Sequence, residues 1–198
     1  MKAFKHLDRR LKVSYSDFLR TTNSHHMSTS QELWKRCAAA GDIYLSSYEG
    51  WYSEREEVFV SDADAEASGF KDVGSGLPLK RVTEESYFFR MSRFLDQLIH
   101  WIEVEQPDFI QPDLHKQNIL NRLKKEGLRD LSISRTSFSW GIPVPEGFDQ
   151  RHVMYVWFDA LSNYLSGVHV LDDDHHDLKR FWPAQRHLIG KDIVWFHW

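Results

Sequence analysis

The chain is almost without cysteine, since Cys37 is the only one among 198 residues. This single thiol excludes a disulfide framework and every zinc site that needs two or more cysteines. Long apolar runs are missing as well, because none approaches the roughly 18 residues that a membrane helix needs. The first ten residues alternate charged and apolar side chains and have no apolar segment typical of a secretory signal. We therefore expect a reducing compartment and no membrane partner: the cytoplasm or, as the alternative, a mitochondrion or another organelle.

Neither sign of charge dominates, with 25 Lys and Arg against 29 Asp and Glu and a formal net charge of −4. This balance argues against broad, nonspecific binding of nucleic acid. Hydrophobic residues make up 41% of the chain, which is too high for a disordered protein. Aromatic residues reach 14%, with 8 Trp and 13 Phe. The composition predicts a folded protein with packed cores and pockets lined by rings.

Helical spacing of apolar residues predicts four helices in the first two thirds of the chain. The first covers residues 1–12. The second begins at Ser28, which has capping-box spacing to Gln31, and ends at Gly41 in a left-handed cap. The third covers 83–102, where Glu84 and Glu85 favour the positive end and a long apolar stripe follows. The fourth covers 113–126 and is stopped by Gly127.

Three segments outside these helices have the composition of strands. Residues 13–19 and 42–48 are predicted strands, and Glu49–Gly50 is predicted to be a tight turn before a returning strand at 51–53. Residues 61–82 are rich in Ser, Asp, Ala and Gly, so they are predicted to form an exposed loop.

The last third of the chain alternates predicted strands and helices. Residues 153–158 are almost wholly apolar and are predicted to form a strand buried on both faces, followed by a helix over 159–167. A second buried strand is predicted at 187–189, with a helix beginning at Ile193. This alternation is typical of a doubly wound sheet, in which ligands bind beyond the carboxyl ends of strands. The turn Gly190-Lys-Asp192 lies at such an end and has residue types that suit a ribose or a phosphate.

Several other patterns favour ordinary structural roles. The acidic and histidine run at 172–177 and the pair His25–His26 are interpreted as solvated loops, so no metal site is predicted. Cys37 lies on the apolar stripe of its helix and is predicted to be a core thiol rather than a nucleophile.

Six strings, taken together, resemble the methionyl-tRNA synthetase family of class I aminoacyl-tRNA synthetases. They occur in the order found in the family and cover nearly the whole chain. The strings are Phe18-Leu-Arg-Thr-Thr22, Gly41-Asp-Ile-Tyr-Leu45, Tyr48-Glu-Gly-Trp-Tyr-Ser53, Asp130-Leu-Ser-Ile-Ser-Arg135, Tyr155-Val-Trp-Phe-Asp-Ala160 with Asn163-Tyr164, and Gly190-Lys-Asp-Ile-Val194 with Phe196-His197.

The resemblance implies an α/β protein: a partial class I synthetase Rossmann catalytic domain, interrupted by an α+β connective-peptide insertion. Residues 1–20 correspond to the end of the first Rossmann half and 21–150 to the insertion. Residues 151–198 correspond to the truncated start of the second Rossmann half.

The resemblance also implies a reaction and its residues. The family activates methionine with ATP (and Mg²⁺) to methionyl-adenylate, then transfers the methionyl group to tRNA(Met). A thioether is best held by aromatic and aliphatic walls. Gly190 and Asp192 resemble the turn that meets the ATP ribose, and Arg135 resembles an arginine of the activation and transfer site. The implied methionine-binding residues are Trp157, Ala160, Leu161, Tyr164, Ile193, Phe196 and His197.

Two departures from the family pattern change the expectation. Residues 54–81 correspond to a stretch that carries zinc-binding cysteines in many relatives and here has none, so we expect no zinc. The His-x-Gly-His and Lys-Met-Ser-Lys-Ser segments that act on the ATP phosphates are also absent. We therefore expect an internal fragment of a methionine–tRNA ligase that is inactive without the missing N- and C-terminal segments. The alternative is a noncatalytic tRNA- or protein-binding module derived from a truncated synthetase.

Overall fold

The computed structural model describes residues 2–53, 55, 58–60, 62–172, 176–191 and 193–197. Asp192 of the predicted ribose-binding turn therefore lies outside the described residues, as do positions 173–175 of the acidic and histidine run. The α-helices are α1 (Lys2–Arg10), α2 (Ser24–Ala39), α3 (Asp62–Ala67), α4 (Leu95–His100), α5 (Asp113–Glu126), α6 (Val156–Leu161), α7 (Asn163–Ser166) and α8 (His176–Lys179). The strands are β1 (Ile43–Ser53), β2 (Val58–Val60), β3 (Lys80–Phe89), β4 (Leu131–Ser132), β5 (Ser134–Arg135) and β6 (Val153–Met154).

Helix α2 begins four residues before the predicted start. Asn23 precedes it with extended backbone, and Ser28 lies inside the helix with its hydroxyl donating to the His25 carbonyl at 2.8 Å. The predicted capping role of Ser28 is therefore wrong. The predicted end is confirmed, because Gly41 follows the helix with φ of +77°, a conformation that glycine adopts without steric cost.

The main sheet is antiparallel and has the strand order β2-β1-β3-β4. Strand β1 pairs with β3 from Ile43 opposite Phe89 to Tyr52 opposite Lys80. The predicted turn at Glu49–Gly50 is wrong, because both residues lie inside β1. The prediction of a loop over 61–82 is also wrong, since this segment contains α3 and the beginning of β3.

The predicted helix over 83–102 is a strand in its first half. Residues up to Phe89 belong to β3, and helical structure begins only with a 3₁₀ turn at Met91–Phe94. Helix α4 then leads into a π-helical turn at Trp101–Glu105. The aromatic residues of this segment satisfy both a helical and a strand pattern, and pairing with the distant β1 decides between them.

Helix α5 has the predicted bounds, and Gly127 ends it with φ of +71°. Its inner face packs against α4, the π-helical turn and the loop that contains Ile110. The buried residues of this core are Ile102, Ile110, Ile119, Leu120 and Leu123.

The last third of the chain differs from its predicted elements. Strand β6 contains only Val153 and Met154 and pairs antiparallel with β5, whereas Trp157 already lies in helix α6. The predicted strands at 13–19 and 187–189 are not formed, and Leu188 is 97% exposed. A short apolar run does not distinguish a buried strand from a buried helix by its periodicity, which explains the error at 153–158.

The larger core forms around Trp34, whose side chain is fully buried. Its indole makes edge contacts with the rings of Tyr87, Phe148 and Phe158, at centroid distances of 5.5, 5.8 and 5.4 Å. This core therefore joins α2, β3 and α6. Cys37 lies on the same helix as Trp34 and is half-buried, and burial raises the pKa of its thiol, as expected for a structural cysteine. Among the described residues, no helix has the length and apolarity needed to cross a membrane.

The core under α5 yields a matched pair of tests on one helix. Leu123→Ala removes a side chain that is 1% exposed, and we expect it to lower the free energy of unfolding by about 3 kcal/mol through lost burial and the cavity left behind. Leu114→Ala, at a position that is 68% exposed, is the control and should change it by less than about 0.5 kcal/mol. Urea unfolding measures both, and equal losses would contradict this packing.

Candidate functional site

An aromatic cluster joins helix α6 to the end of the described chain. The ring of Trp157 stacks on that of Phe196, with centroids 3.9 Å apart and planes inclined by only 6°. Phe196 belongs to a 3₁₀ turn at Val194–Phe196, whose backbone is tied to Ile193 by a hydrogen bond from the Phe196 amide. Two residues that are 39 positions apart in the chain thus form one apolar wall.

A polar pair lies in the same cluster. The Tyr164 hydroxyl is 2.9 Å from Nε2 of His197, and Nδ1 of His197 is 2.9 Å from the carbonyl oxygen of Ile193. A carbonyl oxygen only accepts, so Nδ1 carries the proton and Nε2 of the neutral imidazole accepts from the Tyr164 hydroxyl. The pair therefore holds both rings in fixed orientations.

A cavity of about 450 Å³ opens beside this pair. Tyr164 and His187 form part of its wall, and their rings meet at an angle with centroids 4.5 Å apart. Leu19 and Trp182 line it as well, so the cavity also borders the segment that follows α1. Its volume is within the usual range for small-molecule sites.

The remaining described residues expected to bind methionine or ATP lie on the two chain segments that form the cluster, and Tyr164 is the one predicted methionine-binding residue that lines the cavity. Ala160 and Leu161 are half-buried on α6, the helix that carries Trp157. Ile193 is 40% exposed, and Gly190 is exposed with its carbonyl accepting from the Ile193 amide at 3.1 Å. Asp192, between them, lies outside the described residues.

Arg135 occupies a separate position on β5 and is buried, with 7% exposure. Its Nη1 donates to the Ser132 hydroxyl at 2.6 Å and to the Ser134 carbonyl at 2.7 Å. Its guanidinium also lies over the ring of Tyr155, 4.0 Å from the centroid. Tyr155 immediately precedes α6, so the chain links Arg135 to the helix of the aromatic cluster.

A chain of serines, of which Ser86 and Ser134 are buried, continues from Arg135, and the sequence analysis did not identify it. The Ser86 hydroxyl is 2.5 Å from that of Ser132 and donates to the Ser134 carbonyl at 2.9 Å. The Ser134 hydroxyl is in turn 2.9 Å from Nδ1 of the buried His152. The alternation of Ser132 and Ser134 in the consecutive short strands β4 and β5 is the local signal for this chain, because the partner Ser86 is 48 positions away from Ser134.

Two titratable groups lie on the neighbouring helices α6 and α2: the half-buried carboxyl group of Asp159 and the fully buried imidazole of His26. Burial raises the pKa of Asp159 to about 6. Burial also lowers the pKa of His26, whose Nδ1 is 2.9 Å from the Ser166 hydroxyl. Both side chains are therefore held in an environment that disfavours charge. The sequence analysis had placed His26 in a solvated loop, which is wrong.

The stretch expected to be free of zinc contains a turn organised by a carboxylate. Asp72 accepts hydrogen bonds from the Ser53 hydroxyl at 2.8 Å and from both the amide and the hydroxyl of Ser75 at 2.6 Å. These bonds lower the pKa of Asp72. The turn is further closed by the Asp72 amide, which donates to the Leu77 carbonyl at 2.8 Å.

Comparison with known proteins decides the family. A family model described as "tRNA synthetases class I (M)" matches residues 1–69 and 75–198. The chain belongs to this family of class I synthetases. Its fold class is therefore that of a class I synthetase, as the sequence analysis predicted.

The relatives that are similar to this chain include bacterial enzymes. The methionine–tRNA ligase of Halalkalibacterium halodurans is 46% identical over 198 residues, which are 96% of this chain and 30% of that relative. The methionine–tRNA ligase of Mycobacterium tuberculosis is 45% identical over 196 residues, 98% of this chain and 37% of the relative. The chain thus spans about a third of the length of these relatives.

Solved structures agree with the family assignment. The methionyl-tRNA synthetase of Mycobacterium tuberculosis bound by methionyl-adenylate matches with a TM-score of 0.86 and 44% identity, over 99% of this chain and 38% of that one. The apo form of the same enzyme matches with a TM-score of 0.84 and 44% identity, over 99% of this chain and 39% of the other.

The raised pKa of Asp159 leads to a pH prediction. The folded state keeps this carboxyl proton up to about pH 6, whereas the unfolded chain loses it near about pH 4, so the contribution of Asp159 to stability falls as the pH rises between these values. As the pH rises over this interval, the free energy of unfolding of Asp159→Asn should therefore increase relative to that of the parent chain. Urea unfolding at several pH values measures the difference. Asp96→Asn, at an exposed position, is the control and should show no such trend; a flat difference for Asp159→Asn would contradict the prediction.

Proposed function

We propose that this chain supplies the methionine-binding wall and part of the ATP-binding surface of a methionine–tRNA ligase. The observation that carries the proposal is the stacked pair Trp157 and Phe196 beside the fixed pair Tyr164 and His197. The family membership and the neighbour solved with methionyl-adenylate support it.

The residue types of the cluster suit a thioether. Methionine is flexible and polarizable, and sulfur makes favourable contacts with aromatic rings. Trp157 and Phe196 supply the flat apolar surface, while Ala160, Leu161 and Ile193 supply aliphatic neighbours. Because the Tyr164 proton is engaged by His197, the hydroxyl oxygen is left as a weakly polar group that tolerates the sulfur. The site is thus suited to methionine more than to a charged or strongly hydrogen-bonding side chain.

The proposed reaction needs no covalent nucleophile from this chain. The methionine carboxylate attacks the α-phosphate of ATP, forming methionyl-adenylate and releasing pyrophosphate, and the methionyl group then passes to tRNA(Met). The work of the protein is to position the reactants and stabilise charge. In this scheme Gly190 and Asp192 meet the ribose, and Mg²⁺ arrives with ATP. Arg135 supplies a fixed positive charge whose orientation depends on Ser132 and Ser134.

We also propose that the insertion works without zinc. Residues 54–81 contain no cysteine, so the thiolates that a zinc knuckle needs are missing. The oxygen atoms of Asp72 are engaged by Ser53 and Ser75, and this hydrogen-bonded turn closes the segment instead. The division into 1–20, 21–150 and 151–198, and a cytoplasmic location, belong to the same proposal.

A chimeric enzyme tests the function, because the chain covers only part of its relatives. The 198 residues would replace the matching segment of the Mycobacterium tuberculosis enzyme, and methionine-dependent ATP–pyrophosphate exchange would be measured. We expect an active chimera in which Trp157→Ala raises the KM for methionine about tenfold or more, the effect of losing roughly 1.4 kcal/mol of binding.

Trp140→Ala is the matched control, since Trp140 is 77% exposed and lies outside the cluster. It should leave the KM for methionine unchanged. Exchange that prefers leucine or valine would contradict the proposed substrate. A folded chimera without exchange that still binds tRNA would favour the noncatalytic binding module.

A further inference from the structure

Tyr155 lies where strand β6 ends and helix α6 begins. Its amide donates to the carbonyl oxygen of Ile133 at 2.9 Å, and its own carbonyl oxygen accepts from the Phe158 amide at 3.0 Å in the first turn of α6. Ile133 is buried, as is Met154, which immediately precedes Tyr155. The backbone of Tyr155 is therefore held on both sides, and its half-buried ring extends from a fixed position.

The ring of Tyr155 contacts the buried charge of Arg135. Cζ of the guanidinium lies over this ring, 4.0 Å from its centroid. Strand register brings the two side chains together, because Arg135 is paired with Val153 and Tyr155 lies two positions further along. The negative face of an aromatic ring attracts a cation, and the attraction is stronger where water is excluded. Since Arg135 is only 7% exposed, this contact contributes substantially to holding its charge in place.

The hydrogen bonds of the guanidinium do not by themselves fix its orientation. The bonds to the Ser132 hydroxyl and the Ser134 carbonyl both come from one nitrogen atom, Nη1. Two bonds from a single atom hold that atom, but the rest of the planar group can still tilt about it. A ring packed over Cζ opposes this tilt, and guanidinium groups stack readily on aromatic faces. The ring therefore supplies a restraint that the serines do not.

We propose that Tyr155 is a positioning residue for Arg135. This inference rests on the proposed function, in which Arg135 supplies a fixed positive charge to the reacting groups. A charge stabilises a transition state best when it is already oriented and does not have to reorganise during the reaction. Loss of the ring therefore slows the chemical step. It does not weaken the binding of methionine, because Trp157 and Phe196 form their stacked wall without Tyr155.

Two substitutions separate the electrostatic contribution of the ring from its shape. Tyr155→Phe keeps the aromatic face, whereas Tyr155→Leu keeps an apolar side chain but has no aromatic face. Both variants retain the backbone hydrogen bonds to Ile133 and Phe158. A side chain that only fills space would be replaced about equally well by either residue. A ring that holds a cation would be replaced by phenylalanine alone.

Methionine-dependent ATP–pyrophosphate exchange by the chimeric enzyme tests the proposal. We expect Tyr155→Phe to stay within about twofold of the parent kcat, and Tyr155→Leu to lower kcat about tenfold with an unchanged KM for methionine. Val156→Ala is the matched control, since Val156 is the next residue and is 52% exposed, and it should change neither constant. In an Arg135→Gln background, Tyr155→Leu should cause no further loss, because Tyr155 acts through the guanidinium.

Fluorinated phenylalanines at position 155 keep the test valid if Arg135→Gln folds poorly. Successive fluorine atoms withdraw electron density from the ring and weaken its attraction for a cation, with little change in shape. We expect kcat to fall steadily from phenylalanine to its mono-, di- and trifluoro forms at a constant KM for methionine. Equal kcat across this series, or equal kcat for Tyr155→Leu and Tyr155→Phe, would overturn the role of Tyr155. A folded parent chimera without exchange would instead contradict the proposed function, and this inference with it.

Discussion

The burial of Trp34 is the constraint on which the arrangement of this chain depends. Its ring is enclosed by Tyr87 of β3, Phe148 of the loop before β6 and Phe158 of α6. Two of these partners, Phe148 and Phe158, are more than a hundred residues from Trp34 in the chain. Because aromatic side chains bury large apolar areas, this one cluster joins the antiparallel sheet to the helix that carries Trp157. The placement of the site thus follows from the packing of a residue outside it.

The elements that could be predicted from sequence are those determined by neighbouring residues. Helix α5 has an amphipathic stripe and a glycine stop, both of which act within a few residues, and its bounds were predicted correctly. Strand β3 was mistaken for a helix because its aromatic residues fit either period, and the deciding interaction is its long pairing with β1. The apolar run at 153–158 was mistaken for a strand for a related reason, since buried strands and buried helices have similar composition.

The candidate site shows the same division between local and distant information. The resemblance to a family identified Trp157, Tyr164, Phe196 and His197, and these residues form one cluster in the structure. The contacts of His25 with His169 and Asp172 were not predicted, because His25 and His169 are 144 positions apart and nothing near either residue indicates the other. Segments that fold together in this way have no common signature in sequence.

The serines around Arg135 have a mechanical consequence. Ser86 belongs to β3, which is paired along its length with β1, and its hydroxyl binds the same short strands that hold the guanidinium. The sheet and the arginine are therefore connected through hydrogen bonds. A displacement of the outer sheet would reach the guanidinium along this route, separately from the contacts of Trp34 that join the sheet to α6.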